Sequence, residues 1–122
     1  MRLARISACT LATAGPAGVQ ASWEVCSANG LRLYLLISAA ANHVINLEVS
    51  NEVALAGDGW RLVGTGRCLT DATTAWQPIP QPWQVVIEVI PMTLYLEDEQ
   101  AQLQSIDFTP LHQQDGLASR QD

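Results

Sequence analysis

Asn29-Gly30 stands between two runs of alternating apolar residues, and this dipeptide limits the possible folds more than any other feature of the chain. Both residues tolerate positive φ, which a two-residue hairpin turn requires. Before it, Val19–Cys26 places Val19, Ala21, Trp23 and Val25 on one face. After it, Leu31–Ser38 places Leu31, Leu33, Leu35 and Ile37 on one face, with Arg32, Tyr34, Leu36 and Ser38 on the other. The same period of two recurs elsewhere. Arg2–Cys9 predicts a first strand, Val53–Ala56 a short one and Trp60–Leu69 a long one. Gly64 and Gly66 share one side of that long strand, a sign of close backbone approach. Trp83–Ile90 is strongly β-branched, Thr93–Leu96 resumes after Pro91, and "LQSIDF" adds one more strand. Thr13–Gly18 and the Pro-rich Thr70–Pro82 read as loops.

The period changes once. Ala40, Ala41, Val44 and Leu47 share a helical face, and Asn51 is a plausible stop. One short helix among six to eight hairpin-connected strands predicts a mainly β protein, a small β-barrel. Residues 1–112 make a single domain, and the polar segment 113–122 is expected to be a disordered tail.

Charge narrows the partners. The formal net charge is -6, and all six basic residues are scattered arginines. Nucleic acid, which needs a cationic face, is not expected, nor is a grip on an anionic membrane. The apolar run Leu33–Ala41 is far shorter than the roughly 20 residues of a spanning helix. The opening "MRLARISACTLATAG" loosely imitates a signal peptide, but Ser7, Thr10 and Thr13 interrupt its apolar region, and a strand is the expectation. Cys9, Cys26 and Cys68 are odd in number, with no Cys-x-x-Cys, so neither a disulfide framework nor a zinc site is expected. A reducing, cytoplasmic setting fits them.

The segments "ARISACTLATAGPAGVQASWEV", "GLRLYLLISAAANHVINLEVSNEVAL", "GWRLVGTGRCL" and "WQVVIEVIPMTLYL" follow one another in an order that resembles the pyridoxamine 5'-phosphate oxidase-related family of FMN-binding split β-barrels. The resemblance covers roughly Ala4 to Leu96, and its markers are fold and pocket patterns. It implies a homodimer with FMN, or a related deazaflavin, in the groove between subunits, acting as an oxidoreductase on a small organic substrate. It implies a phosphate site near the end of the third strand and the start of the helix. Ser38, Asn42, His43 and Asn46 are the candidates there. Trp23 would lie beside the ring, and Arg67 or Arg61 could add a cation from a neighbouring strand. Relatives carry a basic residue where His43 stands and often a second at Ile45, whereas this helix has no Lys or Arg. The alternative is a flavin-free barrel serving as a binding or structural dimer. Glu24 is expected to face water or to pair with Arg32 across the hairpin, and Glu88 to face water or an arginine.

Overall fold

The computed structural model describes residues 6–69 and 80–108. Its elements are β1 (Ile6–Thr13), β2 (Gln20–Asn29), β3 (Arg32–Ser38), α1 (Asn42–Leu47), β4 (Glu52–Gly57), β5 (Trp60–Cys68), β6 (Gln84–Glu97) and β7 (Leu103–Asp107). Every pairing is antiparallel. The strand order is β3-β2-β1-β4-β5-β6-β7, and β3 also pairs with β6, which closes the first six strands into a barrel. The hairpin forms here, but its turn lies one residue further on than expected: Asn29 ends β2 paired to Arg32, and Gly30, at φ 63°, and Leu31 make the turn.

The barrel interior is filled by Cys9, Leu11, Cys26, Leu35, Ile37, Val53, Leu55, Leu62, Ile87 and Val89. Each fully buried aliphatic side chain here contributes about 1.5–3 kcal/mol from removal of apolar area from water. Helix α1 packs against this core through Val44 and Leu47, with Ala41 just before it. Ala40, read as part of that face, is exposed, because the helix begins only at Asn42. The three cysteines are free thiols. Burial and a hydrogen bond to Cys26 push the Cys9 thiol up from its ordinary value.

Three departures from the sequence expectation shape the barrel. First, β1 runs on to Thr13, well past Cys9, because Cys9, Leu11 and Thr13 alternate inward while Ala8, Thr10 and Ala12 face out. Second, the apolar face of β2 points outward. Ala21, Trp23 and Val25 are exposed, and Ser22, Glu24 and Cys26 lie on the sheltered side.

Third, β6 continues straight through Pro91. A proline cannot donate to a ladder and belongs at an edge or a bulge. Pro91 has both. Along one edge of β6, pairing with β3 covers Gln84 to Val89, and pairing with β7 covers Thr93 to Glu97, so Pro91 falls in the gap between them. Along the other edge, the register slips between Val63 and Gly64, so that Val63 faces Thr93 and Gly64 faces Pro91. Gly64 permits this: a Cβ there would lie 2.3 Å from the Ile90 carbonyl oxygen. The loop expected over Thr70–Pro82 lies mostly outside the described residues, and the tail 113–122 lies wholly outside them.

Candidate functional site

The barrel wall divides the residues that the sequence groups as one phosphate site. His43 and Asn46 turn inward, with 3% and 0% of their surface exposed. Ser38 and Asn42 are exposed, and Trp23 lies on the outer face. The residues expected at one site are thus placed apart, Ser38, Asn42 and Trp23 exposed and His43 and Asn46 buried. The reason is periodicity: α1 presents Asn42 to solvent, and one residue later its turn carries His43 toward β1 and β2.

The inner group is a hydrogen-bonded chain whose protons can be assigned. Asn46 Nδ2 donates to Thr13 Oγ1 at 3.0 Å and to the Gly18 carbonyl at 2.9 Å, while its Oδ1 accepts the Ala17 N–H at 2.9 Å. Thr13 Oγ1 lies 2.7 Å from His43 Nδ1, and Ser22 Oγ lies 2.8 Å from His43 Nε2. Ser22 also donates to Glu24 Oε2 at 2.5 Å. A hydroxyl has one proton to give. Ser22 gives its proton to the Glu24 carboxylate, so it must accept from His43 Nε2–H. His43 Nδ1 then accepts from Thr13, whose oxygen accepts from Asn46. The chain runs Asn46, Thr13, His43, Ser22, Glu24, and with a neutral imidazole protonated on Nε2 each of its protons has an acceptor. Burial also lowers the His43 pKa below its ordinary value, opposed in part by the Glu24 charge. Both ring nitrogens are therefore committed within the fold. Glu24, expected in water or beside Arg32, is instead the end of this chain.

The outer group follows from strand register. Trp23, Thr10, Ala56, Arg61 and Tyr95 face one another in turn across β2, β1, β4, β5 and β6. The next row is Ala21, Ala12, Ala54, Val63 and Thr93. Small side chains of β1 and β4 beside larger ones of β5 and β6 make a trough of about 380 Å³, lined by Thr10, Ala12, Ala54, Ala56, Arg61 and Tyr95 among others; Trp23 pairs with Thr10 and lies outside this lining. Arg61 lies over the Tyr95 ring, 5.0 Å from its centroid. On the far side, the β2–β3 ladder ends at the pair Val25 and Leu36, and Ser38, beyond it, pairs with Gln84 of β6. The Ser38 hydroxyl accepts the Ala40 N–H at 3.1 Å. Trp23 is 67% exposed and Trp83 64%, both large apolar side chains left uncovered.

Arg67 is taken up elsewhere. Its Nε donates to Glu88 Oε1 at 2.9 Å, and the Tyr34 hydroxyl donates to Glu88 Oε2 at 3.3 Å. Burial and the adjacent Glu88 charge raise the Tyr34 pKa. Glu88 thus faces an arginine, as expected. Sequence reading did not single out Thr13 and Ser22 or the trough floor. The alternation of Cys9, Leu11 and Thr13 against Ala8, Thr10 and Ala12 was the available signal for both. Among the described residues no three His, Cys, Asp or Glu side chains are grouped to hold a metal ion, and no helix is long and apolar enough to cross a membrane.

No family model and no curated protein matches this sequence. Solved structures do match in fold. General stress protein 26 from Bacillus anthracis str. Sterne aligns at 14% identity and TM-score 0.66, over 87% of this chain and 92% of that one. A pyridoxamine 5'-phosphate oxidase from Listeria innocua aligns at 15% identity and TM-score 0.57, over 73% and 86%. HutZ, the heme storage protein from Vibrio cholerae, aligns at 16% identity and TM-score 0.60, over 73% and 84%. The closed antiparallel barrel, the one short helix among the described residues and these alignments together give the chain the split-barrel fold of the pyridoxamine 5'-phosphate oxidase and general stress protein 26 structures.

Proposed function

We propose that this chain is a homodimeric flavin-class protein, taking FMN or a deazaflavin on the outer face of the barrel and serving as an oxidoreductase for a small organic substrate. The observation that carries the reading is the row Trp23, Thr10, Ala56, Arg61 and Tyr95, a small-residue floor between aromatic walls. The trough over Thr10, Ala56, Arg61 and Tyr95, with Trp23 beside it, has a volume of about 380 Å³, in the lower part of the range for small-molecule clefts, roughly 300–1,000 Å³. A flat ring can stack on Trp23 at the border of that floor, with the rest of the ligand lying across it. The exposed Trp23, Val25 and Val63 around it would be covered by a second copy. The free cysteines suit a reducing compartment such as the cytoplasm.

The residues fit the ring better than they fit a phosphate at α1. That helix carries no cation, His43 is committed to Thr13 and Ser22, and Arg67 is held by Glu88. Bound flavin would supply hydride chemistry, while the chain binds and orients it. The second reading, a flavin-free structural dimer, is favoured by one observation: the sealing of His43 inside the fold.

The visible spectrum of the purified protein, followed by fluorescence titration with FMN and with a deazaflavin, tests the first reading. A yellow protein, or quenching that saturates, supports it. A colourless dimer that binds neither compound leaves the second reading standing.

A further inference from the structure

We propose that Arg61, on the trough wall, reads a negative charge, so that an elongated ligand lying across the strands is held with its flat ring on Trp23, beside the trough, and its anionic group on β5. This inference rests on the ring-binding reading above and assigns the anion to a place other than α1.

Three observations converge on Arg61. The described arginines are Arg32, Arg61 and Arg67. Arg67 is neutralised by Glu88, and Arg32 bonds to the Leu31 carbonyl at 3.3 Å at the hairpin end of the barrel. Arg61 alone of these combines a place on the trough wall with no carboxylate partner among the described residues. Second, its guanidinium lies over the Tyr95 ring, 5.0 Å from the centroid, which holds an otherwise exposed side chain at the trough wall. Third, the spacing is right for a two-ended ligand. Trp23 on β2 and Arg61 on β5 are three interstrand steps apart, about 14 Å at roughly 4.8 Å per step. Thr10 and Ala56 lie between them, too small to block the path. A fused ring stacks on the tryptophan, a thin connecting chain crosses the floor, and a phosphate or carboxylate meets the guanidinium.

Riboflavin and FMN differ by the phosphate alone, so they separate the two ends. Both are titrated by fluorescence against the parent protein, Arg61→Gln and the charge control Arg32→Gln, at low and at high salt. The parent is expected to bind FMN roughly tenfold more tightly than riboflavin at low salt, with the gap narrowing at high salt. Arg61→Gln should bind both compounds alike, at the parent's riboflavin affinity. Arg32→Gln should keep the gap. A gap that survives in Arg61→Gln, or a parent that binds the two equally, overturns the assignment of Arg61 and leaves ring binding intact. Binding of neither compound overturns both readings. Arg61 is exposed, so its loss should leave the melting temperature near the parent's, a check that the variant is folded.

Discussion

The Thr13 hydroxyl donates to His43 Nδ1 across 2.7 Å, tying the last residue of β1 to the first turn of α1. Burial favours the neutral imidazole in which Nδ1 is the acceptor, and a pH dependence follows. The folded His43 binds a proton less readily than the unfolded one, whose ordinary value is 6.5. Its contribution is fully present above pH 6.5 and is lost as pH falls through the lowered folded value. Urea midpoints measured from pH 7.5 to 5 should fall on acidification for the parent. In His43→Gln that part of the slope should vanish, so the two curves converge toward acid. Parallel curves would show that the imidazole stays out of the linkage.

His43→Arg gives a sharper outcome. A basic residue at this position looks like a gain for phosphate binding when only the sequence is read. In the fold it buries a guanidinium among Thr13, Ser22 and core residues, beside a single carboxylate. A destabilisation of about 3 kcal/mol or more is expected, read from the denaturant midpoint.

Asn46 fastens the β1–β2 connection. It satisfies the Ala17 N–H, the Gly18 carbonyl and the Thr13 hydroxyl, and it is fully buried. Asn46→Ala should cost about 2–4 kcal/mol, because three partners lose a bond and water cannot readily replace them. Amide exchange should quicken at Ala17 first. Asn46→Asp should be no better, since a carboxylate keeps the acceptor and loses both donors.

Gly64→Ala should destabilise by about 1–3 kcal/mol, read from the denaturant midpoint. The obstruction is the Ile90 carbonyl, which is backbone and cannot swing aside. A melting curve unchanged from the parent would mean that the register slip is not held in place by this glycine.

Much of this architecture can be read in the residues. The Asn29-Gly30 dipeptide, the alternation of β3 and the change of period into α1 give the hairpin, the barrel class and the helix. Gly64 announces a close approach. What cannot be read is which side of a strand the barrel will enclose. Val19, Ala21, Trp23 and Val25 look like a core face, yet they point outward while Ser22 and Glu24 face His43. Alternation fixes that two faces differ, and closure of the barrel decides which one is inside. The same ambiguity places His43 and Ser38 on one site in sequence and on opposite sides of a wall in space. Pro91 misleads for a related reason: its tolerance depends on where β3 ends and β7 begins, which is long-range pairing.

The outward face of β2 predicts self-association. Trp23→Arg adds a charge to an exposed position and should leave the fold intact while splitting the dimer. Sedimentation equilibrium at micromolar concentration should give twice the 13.2 kDa chain mass for the parent and the chain mass for the variant. A monomeric parent would refute the dimer.

The closing seam has a consequence for synthesis and folding. Tyr34 and Glu88 meet across it from 54 positions apart. As the chain leaves the ribosome, β3 emerges early, and its second partner follows only after α1, β4 and β5 have been made. Through that interval a strand carrying Leu33, Leu35 and Ile37 presents an unpaired edge, the kind of template on which nascent chains join one another. Refolding should accordingly be slow for a domain of this size, limited by a single late long-range contact, and yield should fall with concentration. Chains truncated before Gln84 should accumulate as aggregates, whereas chains ending after Glu97 should remain in solution.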